Sequence, residues 1–120
     1  MPANSKEIVE KVNAAFAGND LEGFLWFCAD DVEWTMVGDQ TINGKDAIRQ
    51  WMASMDFDPP EFTVDAVIAE DDFVAAHGNM TMKGEDGKTV LYSYCDIYRF
   101  RGDKIVELRT FVIKTGGPDR

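Results

Sequence analysis

Apolar side chains recur at helical spacing through the first half of the chain and alternate with polar ones through the second. Ile8, Val12, Ala15 and Phe16 fall on one helical face. Asn4 and Glu7 stand at capping-box spacing at the start of that run, and Gly18 closes it. Asp20 is placed to cap a shorter helix carrying Leu21, Phe24, Leu25 and Cys28. Val32 to Val37 reads as a short strand and Gly38 to Gly44 as a loop. A third helix follows, with Ala47, Ile48, Trp51, Met52 and Met55 on one face, and Asp58-Pro59-Pro60 stops it. From Glu61 onward the period changes to two. Strands are predicted over 62–70, 73–83, 89–100 and 104–114, separated by Asp71-Asp72, the hairpin signal Asp86-Gly87, and Arg101 to Asp103. Helices that segregate to one face of a mostly antiparallel sheet define an α+β fold.

Alternation sorts the strand side chains into two sets. Tyr92, Tyr94, Asp96, Tyr98 and Phe100 form one set of the 89–100 strand, and Leu91, Ser93, Cys95, Ile97 and Arg99 the other. In the last strand Val106, Leu108, Thr110 and Val112 alternate with Glu107, Arg109, Phe111 and Ile113. Periodicity does not decide which set faces the helices. The aromatic set suits a concave interior, and Asp96 stands in its middle. A carboxylate among aromatic rings loses hydration, so its pKa rises. Two readings are open: Asp96 organises the core by bonding a tyrosine hydroxyl or an indole N–H, or it serves a pocket as an acid or hydrogen-bond donor. Trp34, Met36, Met55, Met80 and Met82 suit either a packed core or an adaptable cavity wall. Tyr92, Tyr94, Leu108, Thr110 and Val112 complete the candidate ligand-binding set. Asp39 follows the first strand, at the expected mouth of such a cavity.

Composition narrows the function classes. With 12 Lys and Arg against 22 Asp and Glu, the net charge is −10, which repels phosphate backbones and anionic lipid. Nucleic-acid and membrane-surface roles are therefore not expected. The 120 residues, 45% of them hydrophobic, suit one domain over 1–120. No apolar run approaches a membrane span or a signal peptide, and Cys28 and Cys95 share no metal-binding or disulfide spacing. A cytoplasmic protein with reduced thiols is expected. One histidine, His77, argues against a His-rich metal site, and no metal or cofactor is expected. The apolar outer set Leu91, Cys95, Ile97, Phe111 and Ile113 predicts a covered sheet face, most simply a homodimer.

Three groups of strings carry a resemblance. They are Gly18-Asn19-Asp20-Leu21 with Cys28-Ala29-Asp30-Asp31, Asn43-Gly44-Lys45-Asp46-Ala47-Ile48-Arg49, and Asp96-Ile97-Tyr98-Arg99-Phe100 with Gly102-Asp103-Lys104-Ile105-Val106. With the element order, they resemble the ketosteroid-isomerase and SnoaL-like branch of the nuclear transport factor 2-like superfamily. The resemblance implies three helices packed as a cone on a curved sheet (a cystatin-like fold) open to small hydrophobic molecules, and dimers through the outer sheet face. It also implies that Asp96 matches the aspartic acid of the isomerase's oxyanion hole. The isomerase's first-helix tyrosine is matched by Val12, and its base has no carboxylate counterpart at Thr35, Met36 or Val37, which leaves Asp39 as the only nearby carboxylate to replace that base. The positions that hold water in limonene-epoxide hydrolases fall on Met80, Gly78, Thr110, Trp34 and Met36. The expectation is thus a SnoaL-like protein binding a small, largely apolar molecule with a carbonyl or enol oxygen. If it is an enzyme, it is an isomerase, cyclase or lyase using Asp96 with an incomplete known catalytic set; the alternative is a non-catalytic ligand-binding or dimerisation module.

Overall fold

Val9, Val12, Asn13 and Phe16 follow one another at helical spacing, and this stripe lays the first helix onto the sheet. A computed structural model describes residues 5–18, 20–54, 61–84 and 86–116. Its elements are α1 (Ser5–Ala17), α2 (Leu21–Trp26), β1 (Cys28–Met36), β2 (Gln40–Asn43), α3 (Lys45–Ala53), β3 (Glu61–Phe62), β4 (Ala66–Glu70), β5 (Phe73–Lys83), β6 (Thr89–Arg101) and β7 (Lys104–Gly116). The expected Asn4 cap, Met55 and the Asp58-Pro59-Pro60 stop lie outside the described residues.

The strands form one curved, unclosed sheet in the order β2-β1-β7-β6-β5-β3, with β4 also paired to β5. Every pairing is antiparallel except β1 with β7. The three helices lie towards one face. Val9, Val12, Phe24, Leu25 and Ile48 from the helices meet Val32, Val74, Ala76, Tyr98, Phe100, Ile105 and Leu108 from the strands in one buried cluster. Burying each large side chain contributes roughly 1.5–3 kcal/mol. The fold expected from the pattern is the fold observed. No helix among the described residues is long and apolar enough to cross a membrane.

Four local departures have physical causes. Strand β1 starts at Cys28, not Val32, because the chain docks on β7 as soon as α2 ends: Ile105 N–H donates to Phe27 O at 2.8 Å, and Cys28 pairs with Ile105. The expected loop 38–44 contains β2, where buried Ile42 pairs with Trp34; one apolar residue in a polar stretch gives no alternation to read. The expected strand 62–70 is two strands with an extra residue between them. Thr63 and Asp65 N–H groups bond Asn79 and His77 carbonyls at 2.8 and 2.7 Å, and the register slips by one before Ala66. Phe62 and Val67, five residues apart, consequently both pair with inward-facing residues, Met80 and Ala76. The fourth departure is a register shift at the β6–β7 hairpin, which sets Ile105 opposite Phe100 in the core.

A candidate ligand cavity under the helices

Between the helices and the concave sheet face lies a cavity of about 460 Å³, within the usual range for small-molecule sites. Its walls are mainly apolar: Phe16 and Leu21, Trp34 and Met36 on β1, Trp51 and Met52 on α3, Phe62, Met80 and Met82, and Val112. Trp34 is central to the aromatic packing, with ring centroids 5.4 Å from Phe24, 5.7 Å from Trp51 and 6.1 Å from Phe16. Exposed Asp20 and Ala53 lie on the side where the cavity meets solvent.

Asp96 enters this space from β6, between Ala76 on β5 and Thr110 on β7. Its partial accessibility comes through the cavity, while protein atoms surround the carboxyl on its other sides. Burial pushes its pKa up to about 7, and a hydrogen bond from Thr110 opposes the rise. Thr110 itself accepts a 2.9 Å hydrogen bond from the Trp34 indole N–H. The indole therefore holds the threonine, and the threonine steadies the acid. No lysine or arginine among the described residues lines the cavity, so the Thr110 hydrogen bond opposes the effect of burial without the help of a cation.

The three tyrosines expected beside Asp96 have three different surroundings. Tyr94 lines the cavity, but its hydroxyl is committed, donating to Thr63 O at 2.7 Å; burial, with Asp96 and Asp65 nearby, pushes its pKa up to about 12. Tyr98 is fully buried, and its hydroxyl has no hydrogen-bond partner among the described residues. Burial, then the nearby Asp96, raises its pKa well above the ordinary value. Tyr92 does not line this cavity. It borders a separate hollow of about 310 Å³ with Glu61, Thr81, Leu91 and Thr115.

Of the other expected residues, Trp34, Met36, Met80, Met82, Thr110 and Val112 line the cavity. Leu108 does not; it is 1% exposed and packed in the core under the helices. Asp39 sits in the exposed turn between β1 and β2 and is not a lining residue. The second carboxylate at the cavity is Asp20, whose oxygen also accepts the Gly23 N–H at 3.0 Å and caps α2. Asp20 is legible in the sequence as a cap, but not as part of a rim. Sequence reasoning also missed Asn13, which is 8% exposed and lines the cavity from α1. The available signal was a polar residue at i+4 from Val9 and i−3 from Phe16, on the apolar stripe. Cys28 is buried, its pKa pushed up to about 12 by desolvation, so it is not a reactive thiol.

The same architecture recurs in solved structures. An NTF2-like protein of unknown function from Cytophaga hutchinsonii is 26% identical, with a TM-score of 0.76 over 90% of this chain and 98% of that one. A second, from Burkholderia pseudomallei, is 19% identical with a TM-score of 0.81 over 90% and 89%. An LEH-like epoxide hydrolase of M. tuberculosis is 15% identical with a TM-score of 0.80 over 93% and 84%. No curated protein matches the chain. The sequence model of the SnoaL-like domain matches residues 9–108. With its helices laid over a curved sheet and a cavity between them, the chain belongs to the SnoaL-like domain family of the NTF2-like superfamily.

Proposed function

We propose that this SnoaL-like protein binds a small, largely apolar, uncharged molecule and receives its carbonyl or enol oxygen with the protonated carboxyl of Asp96. The observation that carries this reading is one carboxyl, its pKa raised to about 7, inside an apolar cavity with no cation among the described residues of its lining. A neutral carboxyl donates a hydrogen bond to a carbonyl oxygen, and the same donor stabilises the oxygen as charge develops on it. That supports binding and polarisation, and an acid's part in an isomerisation, cyclisation or dehydration.

The steroid-isomerase route lacks its base. Thr35 points to the outer face, where its hydroxyl lies 3.0 Å from that of Thr41, and Met36 is the β1 residue that lines the cavity. Epoxide hydrolysis on the plan of the limonene enzymes is equally unsupported. Trp34, Met36, Met80 and Thr110 line the cavity without a carboxylate among them, and Gly78 has no side chain.

Binding of tetralin and 1-tetralone, followed by amide NMR shifts, tests the proposal. The ketone should bind about tenfold more tightly than the hydrocarbon at pH 6. Its advantage should fade between pH 6 and 8 as Asp96 ionises, while tetralin binding stays constant. Equal affinities at pH 6, or a preference that ignores pH, would overturn the role of Asp96.

The outer sheet face is proposed as the surface of a homodimer. Leu91 and Ile113 are 47% and 67% exposed there, and Ile68, which lies across Ala75 from Ile97, is 61% exposed. Ile97 and Phe111 lie between them in the ladder. Exposed apolar area of this kind calls for a cover, and a second copy supplies one that matches itself. Phe111→Glu places a charge twice in such a contact. The unmodified protein should scatter light as a dimer at micromolar concentration and the variant as a monomer; an unmodified monomer rules the dimer out.

A further inference from the structure

Asn13 stands on the buried stripe of α1, where Val9, Val12 and Phe16 are its helical neighbours and an apolar side chain would pack more cheaply. Its carboxamide makes no hydrogen bond to the described residues, and it is not one of the dry, orphaned groups, because it opens into the cavity. The other polar groups of the lining are committed. The Trp34 N–H is held by Thr110, Thr110 by Asp96, the Tyr94 hydroxyl by Thr63 O, and Asp20 caps α2. Asn13 and Asp96 are left as the two polar groups turned to the cavity without a full set of partners.

We infer that Asn13 is a second anchor and sets specificity, so that the ligand carries a hydroxyl as well as a carbonyl on its apolar frame. This rests on the reading of Asp96 above and extends it to the substrate class. A carboxamide both donates and accepts, and a hydroxyl is the small neutral group that answers both. An anionic group at that place would meet no cation among the described lining residues, and the Asp20 carboxylate stands at the same cavity's rim. The class is therefore a neutral hydroxy-ketone or its enol, of a size to fit about 460 Å³. A buried polar group without its partner penalises every ligand lacking the hydroxyl, which is how such sites discriminate strongly.

The test compares 1-tetralone with its 5-, 6- and 7-hydroxy derivatives on the whole chain at pH 6, read by NMR titration. At least one hydroxy-ketone should bind about tenfold more tightly than 1-tetralone. In Asn13→Leu that gain should fall to within about twofold, in part because 1-tetralone is no longer penalised by an unpartnered amide and binds more tightly. Asn13→Ala, which removes the amide without adding bulk, should behave the same way and serves where the leucine variant does not fold. A gain that persists in either variant, or the absence of any gain in the unmodified protein, overturns the role of Asn13. Failure of the Asp96 reading is separately visible, as a 1-tetralone affinity no better than that of tetralin.

Discussion

Asp96→Asn should stabilise the protein at pH 8 by a few kcal/mol and change it little near pH 4. In the unfolded chain this carboxyl titrates near 3.8, and in the folded protein near 7. Between those values the folded state holds a proton that the unfolded state has released. Stability therefore falls as pH rises from about 4 to about 7, then levels off. A shift of this size corresponds to at most about 4 kcal/mol, and asparagine, which does not titrate, escapes the loss. Urea unfolding of both proteins from pH 4 to 9 isolates the effect, because every other carboxylate cancels in the difference. A difference that does not vary with pH would mean that Asp96 ionises in the folded protein as it does in water.

Gly78→Ala should cost about 3 kcal/mol or more, a large effect for one methyl group. A Cβ at Gly78 would overlap the carbonyl oxygen of Thr63 and come within 3.1 Å of the Tyr94 hydroxyl. Both are parts of one arrangement: Thr63 O accepts from Tyr94, and the bulge between β3 and β4 lies against β5. Backbone cannot yield as a flexible side chain can, so the bulge must lift and Phe62 and Tyr94, both lining residues, must shift with it. Urea unfolding reads the loss directly. A cost below about 1 kcal/mol would show that Thr63 does not press on Gly78.

These two sites show what was legible in the sequence. The alternation Tyr92-Tyr94-Asp96-Tyr98-Phe100 is a property of the chain, and the family resemblance turned that face inward, so Asp96 could be singled out in advance. Gly78 could not be explained in that way. The residue that needs its missing side chain, Thr63, is fifteen positions away and reaches it only through a bulge that breaks the alternation. Tyr92 was misread because period two says which face a residue takes, and not which hollow on that face its side chain borders. Asn13 was hidden by convention: an asparagine in a helix reads as solvent-facing unless its neighbours Val9 and Phe16 are weighed with it. Asp39 and Asp20 show the limit for rims, where proximity in space is set by turns that carry no periodic signal.

The pKa of Asp96 itself is the most direct measurement. Its carboxyl carbon can be followed by NMR from pH 3 to 9, assigned by its absence in Asp96→Asn, with and without saturating 1-tetralone. A midpoint near 7 in the free protein, moved upward by the ketone, is the predicted result, because a ligand that needs the proton must hold it in place. A midpoint near the ordinary value of about 4, unmoved by the ketone, would contradict a neutral acid in the cavity and with it the proposed function.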